Sequence, residues 1–437
     1  MNELLNQPSA QTERNFIIFW IGQIFSILGS WVVNFTVNWW VVSTFQDATK
    51  ISIYSALTYL PFVITVPFAG VWVDRWNKKK TILIFDTIIA LSTLTYLIAF
   101  QANFTQIWFF ILIGAINTSC SAFHESAVAA MVPLMVRREN LSRINGLRTF
   151  SGSGIRIIGP IITGILLRFM PLEKSLWIDF ITYGIAVCAL LSMKLPEPPK
   201  NQRKSEINSD HPVRAYFTEF KEGFNAIKNT PVVKYLVILT LIANFLHTPY
   251  NTLYTFFIQT MHDGTTIDYS YLVMFSQIGI LVGSFLMTLK IKWKDFTQLV
   301  ILGNIGLGFF TIISAITPYR VFWIMYICNA GSGIMLGIIL ASYYSVLQTN
   351  VAPELQGRIY AFDAFLSVSI MPIAMSLSGL MAEAMGVQFL FVICDGISIV
   401  FSCLMFPVYL KIKKETNRNL DGLEDKNLHN CISKVQD

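Results

Sequence analysis

The chain has 437 residues, 54% of them hydrophobic and 13% charged, with a mean hydropathy of +0.55. A surface that apolar cannot face water over most of its area, so a soluble globular protein is excluded and a lipid bilayer is the implied solvent. The net charge of +6 is distributed along the chain instead of forming one patch, which argues against nucleic acid.

The first fourteen residues, ending at Glu13 and Arg14, are polar and lack the basic, apolar, small-residue order of a cleaved signal. The amino terminus is therefore expected to stay in the cytoplasm. Span 1 (16–44) carries Asn34 and Asn38 one turn apart, a pair that would present amides to a substrate or bond to a neighbouring helix. Span 2 (51–73) ends in Gly70, Asp74, Arg75, Lys78 and Lys79. Span 3 (81–101) has Asp86 near its start, and span 4 (105–135) carries His124 and Glu125. Span 5 (144–170) contains Arg156, Gly159, Pro160 and Gly164, and span 6 (174–195) contains Asp179.

The stretch 196–231 is the long hydrophilic break, dividing the apolar runs six and six. Within it Phe217, Phe220, Phe224 and Ile227 recur at helical spacing opposite Glu219, Lys221 and Lys228, which predicts an amphipathic helix at the cytoplasmic interface. Spans 7 to 12 follow at 232–258, 269–290, 297–317, 320–348, 359–385 and 388–410, carrying His247, Asp363 and Asp395 among their polar residues.

Twelve spans place both termini on one side, and the charges choose the side. Loops after even-numbered spans hold Arg75, Lys78, Lys79, Lys80, Arg137, Arg138, Arg143, Lys290, Lys292, Lys294 and Arg358, whereas the others hold only Lys50, Arg168, Lys174 and Arg320. By the positive-inside rule the first set and both termini face the cytoplasm of a multi-pass cell-membrane protein. An offset of 215 residues superimposes Glu139 on Glu354, Arg143 on Arg358, Phe150 on Phe365 and Gly164 on Gly379, as a duplicated unit would. The expected organisation is a six-helix bundle at 1–195, a cytoplasmic linker with an amphipathic helix at 196–231, a second bundle at 232–411 and a cytoplasmic tail at 412–437.

The sequence G-V-W-V-D-R-W-N-K-K-K at Gly70–Lys80 resembles the loop between helices 2 and 3 of the major facilitator superfamily. That resemblance implies an all-α membrane fold of two pseudo-symmetric six-helix bundles, with Asp74 near the amino end of span 11 and Arg75 helping to shut the cytoplasmic side. Asn77 replaces the family's second glycine and is expected to take over its left-handed turn. G-P-I-I-T-G at Gly159–Gly164 looks like the proline-glycine motif of the drug/proton antiporter branch, with Gly279 and Gly283 of span 8 offered as its packing partners. W-x-G-Q-x-x-S at Trp20–Ser26, A-F-H at Ala122–His124, V-P-L-M-V-R-R-E-N-L-S at Val132–Ser142 and P-E-L-Q-G-R at Pro353–Arg358 are together similar to bacterial macrolide-efflux proteins. The likeness implies proton-driven outward transport of lipophilic or amphiphilic small molecules by alternating access, in a protein functional as a monomer. Span 4 lacks the arginine of the branch's proton-relay motif, so the coupling residue does not follow from it.

A charge near the bilayer centre costs about 2.5–3.5 kcal/mol and calls for a partner or a role. Arg156 lies about twelve residues into span 5, and Glu125 and His124 sit at comparable depth in span 4, so Glu125 is the candidate proton or cation site with Arg156 as its counter-ion. A static salt bridge holding spans 4 and 5 in register would use the same pair. Asp86 and Asp363 are expected to join a gate network with Arg75, Arg143, Arg148 or Arg358, and Asp179 and Asp395 to cap or pair near water. The six cysteines show no ligand spacing and read as small buried residues, so no metal or cofactor is expected. With no P-loop, HExxH or G-x-S-x-G, nothing points to ATP drive or an enzyme. An exporter of a self-made siderophore or peptide, or a membrane sensor that moves nothing, would share the architecture; the sensor would be expected to lack the Glu125, Arg156 and Asp74-Arg75 features.

Overall fold

A computed structural model describes residues 10–193, 212–289, 293 and 295–433, with the side chains of 10–14, 74, 138, 142, 212–219, 353, 354 and 416–433 outside the described set. Among the described residues, twelve helices are long and apolar enough to cross a bilayer: Asn15–Phe45, Ala48–Val73, Lys78–Gln101, Ile107–Met135, Arg143–Phe169, Leu172–Leu191, Pro231–His262, Thr266–Thr288, Phe296–Ala315, Phe322–Asn350, Leu355–Met385 and Val387–Glu415. Among the described residues there is no strand, as expected where lipid offers backbone groups no partner. Side chains start several of the helices. Asp47 accepts from the Lys50 amide of span 2 at 2.9 Å, and Thr265 and Asp268 form a reciprocal capping box at span 8.

Three boundaries differ from the hydropathy reading. The helix of span 11 begins at Pro353, because Pro-Glu-Leu-Gln-Gly-Arg is helical without being apolar and proline suits a first turn. Span 6 opens with a separate turn, Leu172–Ser175, before its main helix at Trp177–Leu191. The last helix runs on to Ser433 instead of stopping near residue 410.

The duplication is visible in the packing. In the first half span 4 packs on spans 2 and 3, span 1 on spans 5 and 6, and span 3 on span 6. The second half repeats this with span 10 on spans 8 and 9, span 7 on spans 11 and 12, and span 9 on span 12. The halves meet chiefly through spans 2 and 11 and spans 5 and 8, related by the same pseudo-symmetry. Gly279 and Gly283 do not serve span 5: an added Cβ on either would strike Ala330, Gly333 or Ile334 of span 10, and Gly333 and Gly337 face span 8 in return. Small residues on both partners let these two backbones approach within the second half. Spans 5 and 8 meet instead where Gly164 faces Thr266 and Ser270.

Three apolar clusters fix the overall state. One draws on both halves and gathers at the end remote from the termini, with Val37, Val41 and Phe110 beside Tyr254, Phe257 and Phe391. At that end the rings of Phe35 and Trp39 in span 1 lie 5.4 and 6.1 Å from Tyr269 of span 8, and Ser43 Oγ is 3.2 Å from Gln259 Oε1 of span 7. The other two clusters lie at the opposite end and are private, one to each half. There, Gly70, Gly146, Gly152 and Gly154 have no neighbour within 4 Å of an added Cβ. The molecule is sealed at the far end and open at the end carrying the termini.

The helix Pro212–Asn229 lies at this open end and packs on span 11. Phe220 lies with its ring 4.6 Å from Phe362 and 5.1 Å from Phe365, and Glu222 pairs with Arg358 at 2.6 Å. Ile227 joins the private core of the second half. Phe217, and all of residues 194–211, lie outside the described side chains.

Candidate functional site

The opening between the halves is lined differently on its two walls. On the first half, Asn145, Arg148, Thr149, Gly152, Ser153 and Arg156 of span 5 border a hollow of about 500 Å³ with Trp20 of span 1. The Arg148 guanidinium sits 5.2 Å from the Trp20 ring, a cation–π contact, and Trp20 Nε1 donates to Ser151 at 2.9 Å. Arg156 and Glu125 are both exposed. No ion pair joins them within 4 Å among the described residues, although Glu125 lies within the electrostatic reach of Arg156 and His124.

His124 has a different partner. Its Nε2 lies 3.1 Å from Asp86 Oδ1 of span 3, both side chains nearly buried, close enough for an ion pair but off the line of a hydrogen bond. Asp86 thus faces a histidine in its own half and not the arginines of a gate. Asp179 is buried and accepts from Thr93 at 2.7 Å, away from the water it was expected to face. Asn34 and Asn38 are both exposed and make no hydrogen bond among the described residues.

The motif residues have definite places. Gly159 is buried under Trp31 of span 1, 3.3 Å from an added Cβ, and Pro160 beside it is buried within the span 5 helix. Lys79 Nζ donates to the Met193 carbonyl at 2.6 Å, tying the basic loop to the end of span 6. Gly70 and Arg75 are exposed, Lys78 is half-buried, and the Asp74 side chain lies outside the described set. Asn77 is not left-handed: with φ −69° it is the N-cap of span 3, accepting from the Lys80 amide at 3.1 Å. An amide side chain at that position satisfies an open helix end, which glycine cannot do. Cys188 and Cys403 are exposed, contrary to the expectation that the cysteines are buried, while Cys120, Cys328 and Cys394 are buried.

The second half holds the larger cavity, about 820 Å³, bordered by spans 7 to 11. Its lining is rich in tyrosine and amide side chains and includes His247 and Asp363. His247 Nδ1 lies 3.1 Å from Asp395 of span 12, and the Tyr343 phenol of span 10 donates to Asp363 Oδ1 at 2.5 Å. Arg358, the expected gate partner of Asp363, is engaged by Glu222. Sequence reasoning took Asp363 as part of a gate and placed His247 only among the polar residues of span 7. A usable signal was the polar stripe of span 7, where Asn244, His247, Asn251 and Tyr254 fall at helical spacing and all line the cavity.

Among the described residues no group of His, Cys, Asp and Glu is arranged to hold a metal ion. What the site offers is an opening at one end, ionisable groups at membrane depth and a drug-sized cavity.

Comparison with known proteins bears on this arrangement. The family profile of the Major Facilitator Superfamily matches residues 19–374. Macrolide efflux protein A of Streptococcus pyogenes is 25% identical over 401 residues, covering 91% of this chain and 96% of the relative. Multidrug efflux pump Tap of Mycobacterium tuberculosis is 22% identical over 373 residues, covering 82% and 86%. Among solved structures, a bacterial homologue of the iron transporter ferroportin in an inward-facing state superposes with a TM-score of 0.69 at 13% identity, covering 92% of this chain and 99% of that one.

Proposed function

Because the chain belongs to the major facilitator superfamily, a family of transporters and not of enzymes, we propose that it is a proton-coupled exporter of lipophilic or amphiphilic small molecules. The observation that carries this is the unequal sealing of the two ends: one apolar core bridges the halves at the far end, and each half keeps its own core at the open end. Two rigid bundles that share contact at one end can tilt to exchange it for contact at the other, which is alternating access. Curated relatives named for macrolide and multidrug efflux support export.

In this reading the basic loops and both termini are cytoplasmic, residues 1–195 and 232–411 form the moving bundles, and 196–231 links them. Glu125 is the proton site. It is exposed in the open state, has no ion-pair partner within 4 Å among the described residues, and lies within the electrostatic reach of Arg156 in the same bundle, so that closure of the cleft, by excluding water, would strengthen their attraction. His124 stays on Asp86 and positions the neighbouring turn. Asn34, Asn38 and the antiporter-like residues Gly159, Pro160 and Gly164 belong to the walls and hinge surfaces through which the cleft opens and closes.

Everted vesicles carrying the protein test this directly. An imposed pH gradient is expected to drive uptake of a macrolide or a dye-like amphiphile, and Glu125→Gln to abolish the dependence on the gradient, leaving only downhill movement. Gradient-driven uptake at the wild-type rate in that variant removes Glu125 from the coupling. A susceptibility panel in an efflux-deficient host, with and without a protonophore, identifies the compounds; protection only against a compound made by the producing cell assigns the protein to metabolite export.

A further inference from the structure

The Asp363 carboxylate lies about 12 Å along span 11 from Leu355, at 1.5 Å per residue, and borders the cavity of the second half. No lysine or arginine is among the described residues lining that cavity. Its one protein donor among the described residues is the Tyr343 phenol at 2.5 Å on Oδ1, which leaves Oδ2 without a donor of its own. The basic side chain nearest to it in its own helix, Arg358, is paired with Glu222 of the linker helix. A membrane-depth carboxylate on a cavity wall, oriented by a neutral donor and lacking a cationic partner, is arranged to receive a positive charge from outside the protein.

The rest of the wall fits the same ligand. Tyr344 and Tyr360 border the cavity next to this acid with rings 5.9 Å apart and inclined at 62°, and deeper in the wall Tyr250 and Tyr254 stack at 4.5 Å. Ring faces attract cations and cover flat carbon frames. About 820 Å³ is room for a drug-sized molecule.

We propose that the cavity of the second half is a binding site for lipophilic organic cations, in which Asp363, oriented by Tyr343, takes the charge and the tyrosine rings take the carbon skeleton. The proposal deepens the export reading by naming a substrate class, and it rests on that reading only for the direction of movement. Binding is measured apart from transport, on the full chain in lipid nanodiscs, with radiolabelled tetraphenylphosphonium and the neutral triphenylphosphine oxide as probes. The wild type is expected to prefer the cation at least tenfold. Asp363→Asn is expected to remove that preference while leaving the neutral probe within twofold of wild type, and Tyr343→Phe to weaken the cation by about threefold. If Asp363→Asn loses both probes, Asp363→Glu decides: recovery of cation binding supports the charge role, and failure to recover it overturns the proposal. It is also overturned if Asp363→Asn binds the cation within twofold of wild type, or if the wild type binds the two probes equally or binds neither. Charge-dependent binding without any transport would sink the export reading and leave this site standing; export with a charge-blind cavity would do the reverse.

Discussion

Asp295 shows how a single acid outside the spans is held. Burial alone would push its carboxyl up, but Lys413 at 2.6 Å, Tyr409 at 2.6 Å and the Gln298 amide at 3.1 Å outweigh it and hold the carboxyl below its usual range. A depressed carboxylate contributes stability above its unfolded value, about pH 3.9, and loses it as the pH falls through the lower folded value. In detergent, Asp295→Asn is expected to lower the melting temperature at pH 7 and to converge with wild type in strong acid; parallel melting curves across the whole range would show that the ion pair is not what holds this corner. For the acids inside the spans, the sequence shows that each needs a reason to be there, but not which partner supplies it. Partner choice depends on the rotation of each helix about its axis: Asp86 was assigned to arginines and faces His124, and Asp363 was assigned to a gate and faces Tyr343.

Among the elements, the linker helix is the one whose attachment periodicity foresaw only in part. The spacing of Phe220, Phe224 and Ile227 marks an apolar face, but an apolar face fits lipid and protein equally, and here it covers span 11. Its aromatic contacts are each worth about 0.5–1.5 kcal/mol beyond area, whereas a half-exposed ion pair such as Glu222–Arg358 is worth about 0–1 kcal/mol. Phe220→Ala is therefore expected to speed amide exchange in 220–229 by about tenfold, and Glu222→Ala by about fivefold at most. Gly223→Leu should detach the helix most completely, because a Cβ there would lie 2.5 Å from the Arg358 carbonyl oxygen. Equal exchange in all three variants and wild type would mean that the helix is not held by this face.

At the scale of the molecule, hydropathy carried the twelve-helix architecture, because each span must be long, apolar and internally bonded before any tertiary contact forms. The state of the cleft was not legible, since it depends on which ends of the helices touch. Gly379 is a direct handle on that state: an added Cβ would lie 2.6 Å from Thr49 Cα across the sealed end. Overpacking of this kind costs about 1–3 kcal/mol. In a cysteine-free background with Asn38→Cys as reporter, Gly379→Leu is expected to raise labelling from the sealed side by about fivefold at the low end of that cost; unchanged labelling would place the closure elsewhere. The makeup of the seal has a consequence for how the protein responds to its surroundings. Rings and aliphatic chains cohere less strongly in the cold and feel no charge screening by a simple salt such as sodium chloride, while the opposite mouth, with Arg75, Arg143 and the neighbouring lysines, answers to electrolyte and hardly to temperature. Chilling therefore loosens one door and brine acts on the other, which gives an experimenter two independent levers on a single equilibrium.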